Sequence, residues 1–162
     1  LFMRRNSGFT ALDVAVTLAI VAVLASVTMP SFLGWLSNYR LRGSAINLMS
    51  DIELAKIRAM RENAFVAVLF TQDGYRIFVD NGEGAAAAGD WQCTGAERLI
   101  HERRLPAGVS IQLADMSPAE KRLRFTGRGL PADLASAALI PVANKAGRRD
   151  VRINRLGRVW IQ

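Results

Sequence analysis

The chain passes through three hydrophobic rhythms along its length. Between residues 14 and 39 there is no Asp, Glu, Lys, Arg or His. As a helix this run would reach about 40 Å, enough to cross a hydrocarbon core of ~30 Å. From residue 35 to 63 a second pattern takes over. Ala45, Leu48, Ile52, Ala55 and Ala59 step by three or four and form one apolar stripe. The opposite flank is mixed, with Ile46 and Ile57 among Ser50, Arg58 and Arg61. Such mixing fits a helix packed on more than one side, or one that is deeply buried. Pro30 and Gly34 interrupt the first run and are expected to bend or loosen the helix there.

Beyond residue 64 the β-branched and aromatic residues cluster in short runs. FVAVLF (65–70) and YRIFV (75–79) flank Thr71-Gln72-Asp73-Gly74, which predicts a hairpin with an Asp-Gly turn. Shorter strands are expected around 98–104, 109–113, 123–125, 138–142, 151–154 and 158–161. Pro106-Ala107-Gly108, Gly127-Arg128-Gly129 and residues 154–157 supply turns between them. The stretch 80–97 is rich in Gly and Ala without a period and reads as an exposed loop. No internal repeat is visible. One long helix followed by mostly antiparallel strands is an α+β plan, the helix packing on a β-sheet head.

Composition narrows the function. Of 162 residues, 51% are hydrophobic, which fits one domain once an anchor-like first fifth is set aside. A single cysteine, Cys93, excludes an internal disulfide framework and a Cys-rich zinc site. With one histidine, His101, the usual metal and nucleophile constellations are not built. We therefore expect no enzyme, no cofactor and no metal site. His101 reads as a histidine on a strand surface. Cys93 reads as an unpaired structural cysteine, with an intermolecular disulfide as the alternative. Asp80, Glu83 and Asp90 lack the spacing of an EF-hand loop and read as solvated.

The net charge of +7 is unevenly placed. Residues 1–120 carry 11 basic and 12 acidic side chains, and residues 121–162 carry 10 basic and 2 acidic, so the two parts sum to −1 and +8. On a strand, Val151 and Ile153 face one side and Arg152 the other. Together with Lys145, Arg148, Arg149, Arg155 and Arg158 it composes a candidate positive patch for phosphates or for an acidic partner.

The N-terminal run raises a separate question. A secretory signal should end in a small-residue cleavage site, yet ASVTMPSFLGW follows at once. A plain anchor accounts for Arg4 and Arg5 on the positive-inside rule but not for Asp13. A carboxylate at the membrane centre costs roughly 2.5–3.5 kcal/mol on insertion scales, less near the edge, and such an acid usually has a partner.

Gly8-Phe9-Thr10-Ala11-Leu12-Asp13 resembles the processing site of type IV pilins and type II secretion pseudopilins, with Asp in place of the usual Glu. The resemblance implies cleavage by a prepilin peptidase between Gly8 and Phe9, N-methylation of Phe9, and retention of the apolar helix. It makes Asp13 an assembly contact, pairing with the α-ammonium of a neighbouring subunit so that each charge offsets the burial of the other. Pro30 stands where that family commonly has a helix-kinking proline. Taken in order, LAKIRAMRENAFVAVLF, YRIFVDNGEG, RLRFTGRGLP and INRLGRVWIQ resemble the H-type minor pseudopilins and the FimT- and FimU-like minor pilins.

That resemblance implies a leader at 1–8, a transmembrane and assembly helix at 9–37, and a soluble head at 38–162. It also implies residence in the inner membrane with a periplasmic head, followed by entry into a pilus or pseudopilus among other pilins. Some FimT-like pilins bind DNA through a C-terminal Gly-Arg-x-Arg motif. The matching stretch here is Gly157-Arg158-Val159-Trp160, so DNA binding through the basic patch is the alternative reading, with Trp160 a candidate for base stacking.

Overall fold

The fold was obtained as a computed structural model, which describes residues 10–82, 87–94, 97–132, 134 and 136–162, with the side chains at 27 and 30 outside that description. Residues 1–36 and 37–162 form two compact units. One helix, α1 (Ala11–Glu62), runs through both.

The N-terminal unit is helical from Ala11. Thr10 caps it: its hydroxyl accepts from the Asp13 backbone N–H at 3.3 Å, while Asp13 Oδ2 accepts from the Thr10 N–H and Oγ1 at 3.0 and 2.8 Å. This reciprocal arrangement is a capping box and satisfies donors that a helix start leaves without partners. Its apolar side chains, Leu12, Leu18, Val21 and Leu24 among them, are exposed. Among the described residues, no single helix is long and apolar enough to cross a membrane. Ala11–Ser26 and Ser31–Glu62 pass that test only together, as a bent pair.

The second unit contains the core. Ala45, Leu48, Ile52, Ala55 and Ala59 are all fully buried, so the predicted stripe is the face of α1 that meets the strands. The small Ala side chains let helix and sheet approach closely. On the other flank Ile46, Ile57 and Met60 are exposed. The helix ends in a Schellman turn: Asn63 adopts φ +47 and the Ala64 N–H bonds to the Ala59 carbonyl at 3.3 Å. Gly127 packs on this end, where a Cβ would come within 2.5 Å of Asn63 Oδ1 and 3.0 Å of its backbone.

The described strands form two antiparallel sheets. β1 (Val66–Thr71), β2 (Gly74–Val79), β3 (Leu99–Arg104), β5 (Arg122–Phe125) and β6 (Pro131–Ala132) make one, in the order β3-β2-β1-β5-β6. β4 (Ser110–Ile111), β7 (Ala138–Asn144), β8 (Gly147–Ile153) and β9 (Val159–Ile161) make the other, in the order β4-β7-β8-β9. Alternation sends Val66, Val68, Ile77, Leu123 and Phe125 of the first sheet, and Ile140, Val142, Val151 and Ile153 of the second, into one cluster with α1. The family of the fold is therefore α+β, as the sequence pattern predicts.

Two details of the strands differ from the sequence reading. The hairpin pairs Thr71 with Gly74, so Gln72-Asp73 is the central turn pair and Gly74 already belongs to β2. Its lack of a side chain serves the sheet, because a Cβ there would lie 2.2 Å from the Arg103 carbonyl oxygen across the β2–β3 ladder. The short β6 was not anticipated; it pairs Ala132 with Arg124 and Pro131 with Phe125.

The stretch 80–97 is more than a solvated loop. Asp80 and Glu97 are buried, and their carboxylates accept backbone N–H groups from Gly89, Trp91, Gly82 and Thr94. Arg124 Nη1 donates to the Gly89 carbonyl at 3.0 Å. These bonds draw the loop back over the sheet face opposite α1, where Phe78 and Ala67 are fully buried.

Candidate assembly site

Gly8 and Phe9, the expected cleavage and methylation residues, lie outside the described residues, as does the side chain of Pro30. Asp13 is in the first turn of α1, and its carboxylate is exposed. Both Thr10 donors converge on Oδ2. Oδ1 carries neither of those bonds.

The C-terminal basic residues are brought onto one hairpin but not into one cluster. Lys145 lies in the β7–β8 turn, Arg148, Arg149 and Arg152 on β8, and Arg155 and Arg158 in and after the β8–β9 turn. At about 3.3 Å per residue, Arg148 and Arg152 stand roughly 13 Å apart along β8. Arg148 is neutralised locally: Nη1 meets Asp115 Oδ2 at 2.6 Å and Nε meets Asp150 Oδ1 at 2.7 Å. These hydrogen bonds, that to Asp150 first, hold its guanidinium above the usual arginine range. Arg152 turns away from the core, as expected, and stands between its cross-strand partners Leu139 and Trp160. The turn at 154–157 is fixed from both sides. Asn154 Oδ1 accepts from the backbone N–H groups of Leu156 and Arg158, and Lys56 of α1 donates to the Gly157 carbonyl at 2.9 Å.

Two further groupings escape the sequence pattern. Asp51 of α1 receives Tyr75 Oη at 2.6 Å and Arg103 Nε at 2.7 Å, and His101 Nε2 stands 3.6 Å away. His101 thus faces the helix rather than a bare strand surface. Because β3 is an edge strand, the inward charge of Arg103, with the irregular register at Ile77/Phe78, also discourages edge-to-edge pairing. The second grouping is Trp91 with Arg122 and Arg124, both guanidinium carbons 4.5 Å from its ring centroid.

The acidic residues of the 80–97 loop also come together. Asp80, Asp90 and Glu97 each bring an oxygen within 4.8 Å of the others. Asp80 and Glu97 are used by the loop backbone, and Asp90 Oδ1 accepts from the Gln92 N–H. Glu83, grouped with them by sequence, lies outside the described residues. Cys93 is unpaired and half-buried, and burial pushes its thiol pKa up, away from the reactive thiolate.

Residues 44–157 match the family model described as type II transport protein GspH. The chain belongs to the GspH family. The match covers nearly all of the head, from the first buried turns of α1 to the β8–β9 turn. No curated protein sequence matches the chain. Among solved structures it is similar to the type IV minor pilin FimU of Pseudomonas aeruginosa. The TM-score is 0.58 at 13% identity, over 79% of this chain and 92% of that one. It is likewise similar to the minor pseudopilin EpsH of the Vibrio cholerae Type 2 Secretion System, with TM-score 0.54 at 14% identity, over 76% and 96% of the two chains. At such identity the likeness is one of fold, and it extends the GspH assignment to a helix-plus-sheet head of the pilin kind.

Proposed function

We propose that this GspH-family chain is a minor pilin or pseudopilin, a structural subunit that joins a type IV pilus or a type II secretion pseudopilus. The observation that carries the reading is the family match across the head, on a chain whose α1 continues upstream into an apolar run with Asp13 in its first turn. A filament subunit has to supply surfaces rather than turnover, and the head's ionisable residues act as struts, not as a reacting set. Its partners are other pilin or pseudopilin subunits.

The finer steps follow from the N-terminal motif. A prepilin peptidase cuts between Gly8 and Phe9, Phe9 is N-methylated, and the apolar segment holds the precursor in the inner membrane with its head in the periplasm. Asp13 then pairs with the Phe9 amine of a neighbour, and Pro30 lets the helix bend as it leaves the bilayer. Mass spectrometry of the mature N-terminus tests this reading. We expect a chain beginning at methylated Phe9, and an intact leader in cells with active prepilin peptidase would overturn it.

A second reading, DNA binding, is favoured by the pairing of Arg152 with Trp160 on the outward face of the second sheet. The division of the basic residues between two ends of β8, and the ion pairs at Arg148, weaken it. A gel-shift with short duplex DNA separates the two: absence of retardation at low salt eliminates the nucleic-acid reading.

A further inference from the structure

The outer face of the first sheet carries a corner that has no part in the assembly reading. Arg122 and Arg124 alternate with the buried Leu123 and Phe125, so both emerge on the side away from α1. Arg124 is a strut, bonded to Gly89 and standing 4.8 Å from the Phe65 ring centroid as well as against Trp91. Arg122 is placed differently. Its guanidinium lies over the Trp91 ring, and it forms no ion pair with a described residue. A guanidinium stacked on a ring keeps its N–H donors directed outward in the plane of the fork.

Beside this pair is a cavity of about 160 Å³ lined by Trp91, Pro118, Glu120, Arg122, Ala132 and Leu134. A cavity of ~150 Å³ is large enough for a benzene ring. Its lining mixes Trp91, Pro118, Ala132 and Leu134 with Arg122 and Glu120, and its exposed surface is slightly more polar than apolar. The backbone around it is held in an uncommon shape: Trp91 has φ +67 and Lys121 φ +58, two of the three described non-glycine residues in the left-handed region. Asp80 pins Trp91 in that conformation through its N–H. Tryptophan and arginine around a concave site are the composition of interface hot spots.

We propose that this corner is a recognition pocket for an acidic, aromatic-bearing segment of another polypeptide. The partner's ring enters the cavity against Trp91, and a carboxylate one residue away pairs with the outward edge of Arg122 in a bidentate, charge-assisted contact. The chemistry favours a peptide over a nucleic acid. A phosphate backbone needs several cations along a track, whereas here two arginines converge on one ring and Glu120 shares the lining.

The test uses the full chain in mild detergent, carrying Trp35→Phe and Trp160→Phe so that emission reports on Trp91. It is titrated with the peptide acetyl-Gly-Asp-Phe-Asp-Gly-amide, with versions carrying Lys for Asp or Ala for Phe, and with a short oligothymidylate. We expect a saturable change with the first peptide, about tenfold or more weaker binding of the two altered peptides, and a similar loss in Arg122→Gln. Arg122→Lys, which keeps the charge but not the fork, should fall between, and Arg128→Gln should bind as the parent does. No saturable change at millimolar peptide, equal binding by Arg122→Gln, or tighter binding of oligothymidylate would each overturn the proposal. The readout does not depend on N-terminal processing or filament entry.

Discussion

Tyr75 Oη lies 2.6 Å from Asp51 Oδ2, joining β2 to the middle of α1 through a buried hydrogen bond. The same oxygen takes Arg103 Nε from β3 at 2.7 Å, so one carboxylate fastens the helix to two strands. Asp51 is 8% exposed, and removing it would leave a buried phenol and a half-buried guanidinium without their shared acceptor. Asp51→Ala should therefore destabilise the head by about 2–3 kcal/mol, and Tyr75→Phe by about 1.5 kcal/mol. Urea unfolding of the two variants measures both. The two losses should fall short of additive in the double variant, because they remove one shared interaction.

The same phenol gives the head an alkaline limit. Burial, reinforced by the bond to Asp51, pushes the Tyr75 pKa well above the ordinary tyrosine range. The folded state then holds the proton more tightly than the unfolded chain, whose tyrosine ionises near ~10. The stability associated with this group is complete below about pH 10 and declines as pH rises beyond it. Urea midpoints measured from about pH 8 to about pH 11 should fall at the upper end in the parent, and fall less steeply in Tyr75→Phe.

Glycines in the head differ sharply in what a methyl group would meet. At Gly74 a Cβ would stand 2.2 Å from the Arg103 carbonyl oxygen, and backbone atoms of β3 cannot retreat without opening the ladder. Gly74→Ala should cost about 2–3 kcal/mol or more. At Gly43, inside α1, nothing lies within 4 Å, and Gly43→Ala should raise stability by about 0.5–1 kcal/mol through helix propensity alone. Thermal unfolding of the pair, with shifts of opposite sign, checks both.

How much of this was legible depended on the range of the interactions involved. Ala45, Leu48, Ile52, Ala55 and Ala59 were readable because a helix repeats its buried face every three or four residues, and all five are buried. The paired strands 65–70 and 75–79 were readable because turn and strands are neighbours in sequence. Asp51 was not, since its partners lie 24 and 52 residues away and nothing in either segment's own pattern announces the other. Trp91 was missed for a related reason. A Gly- and Ala-rich stretch carries no period, and what folds it back is a set of backbone N–H groups captured by Asp80 and Glu97. The basic residues were identifiable as a group, but their division between the ends of β8, and the neutralisation of Arg148 by Asp115, depend on sheet pairing.

Asp13 has two separable duties at the start of α1, and paired variants can tell them apart. As the third helical residue it accepts from Thr10, a role that needs an oxygen acceptor but no charge. As a proposed assembly contact it needs the negative charge to meet a neighbour's amine. Asp13→Asn keeps an acceptor for the cap and loses the charge. It should yield a processed, helical precursor that enters filaments much less well than the parent. Thr10→Val keeps the charge and loses the hydroxyl of the cap. It should weaken the first turn by about 1 kcal/mol, yet still enter filaments. Immunoblots of sheared filament fractions beside membrane fractions give the comparison. Normal entry of Asp13→Asn, with exclusion of Thr10→Val, would show that the residue serves the helix start and not the neighbouring subunit.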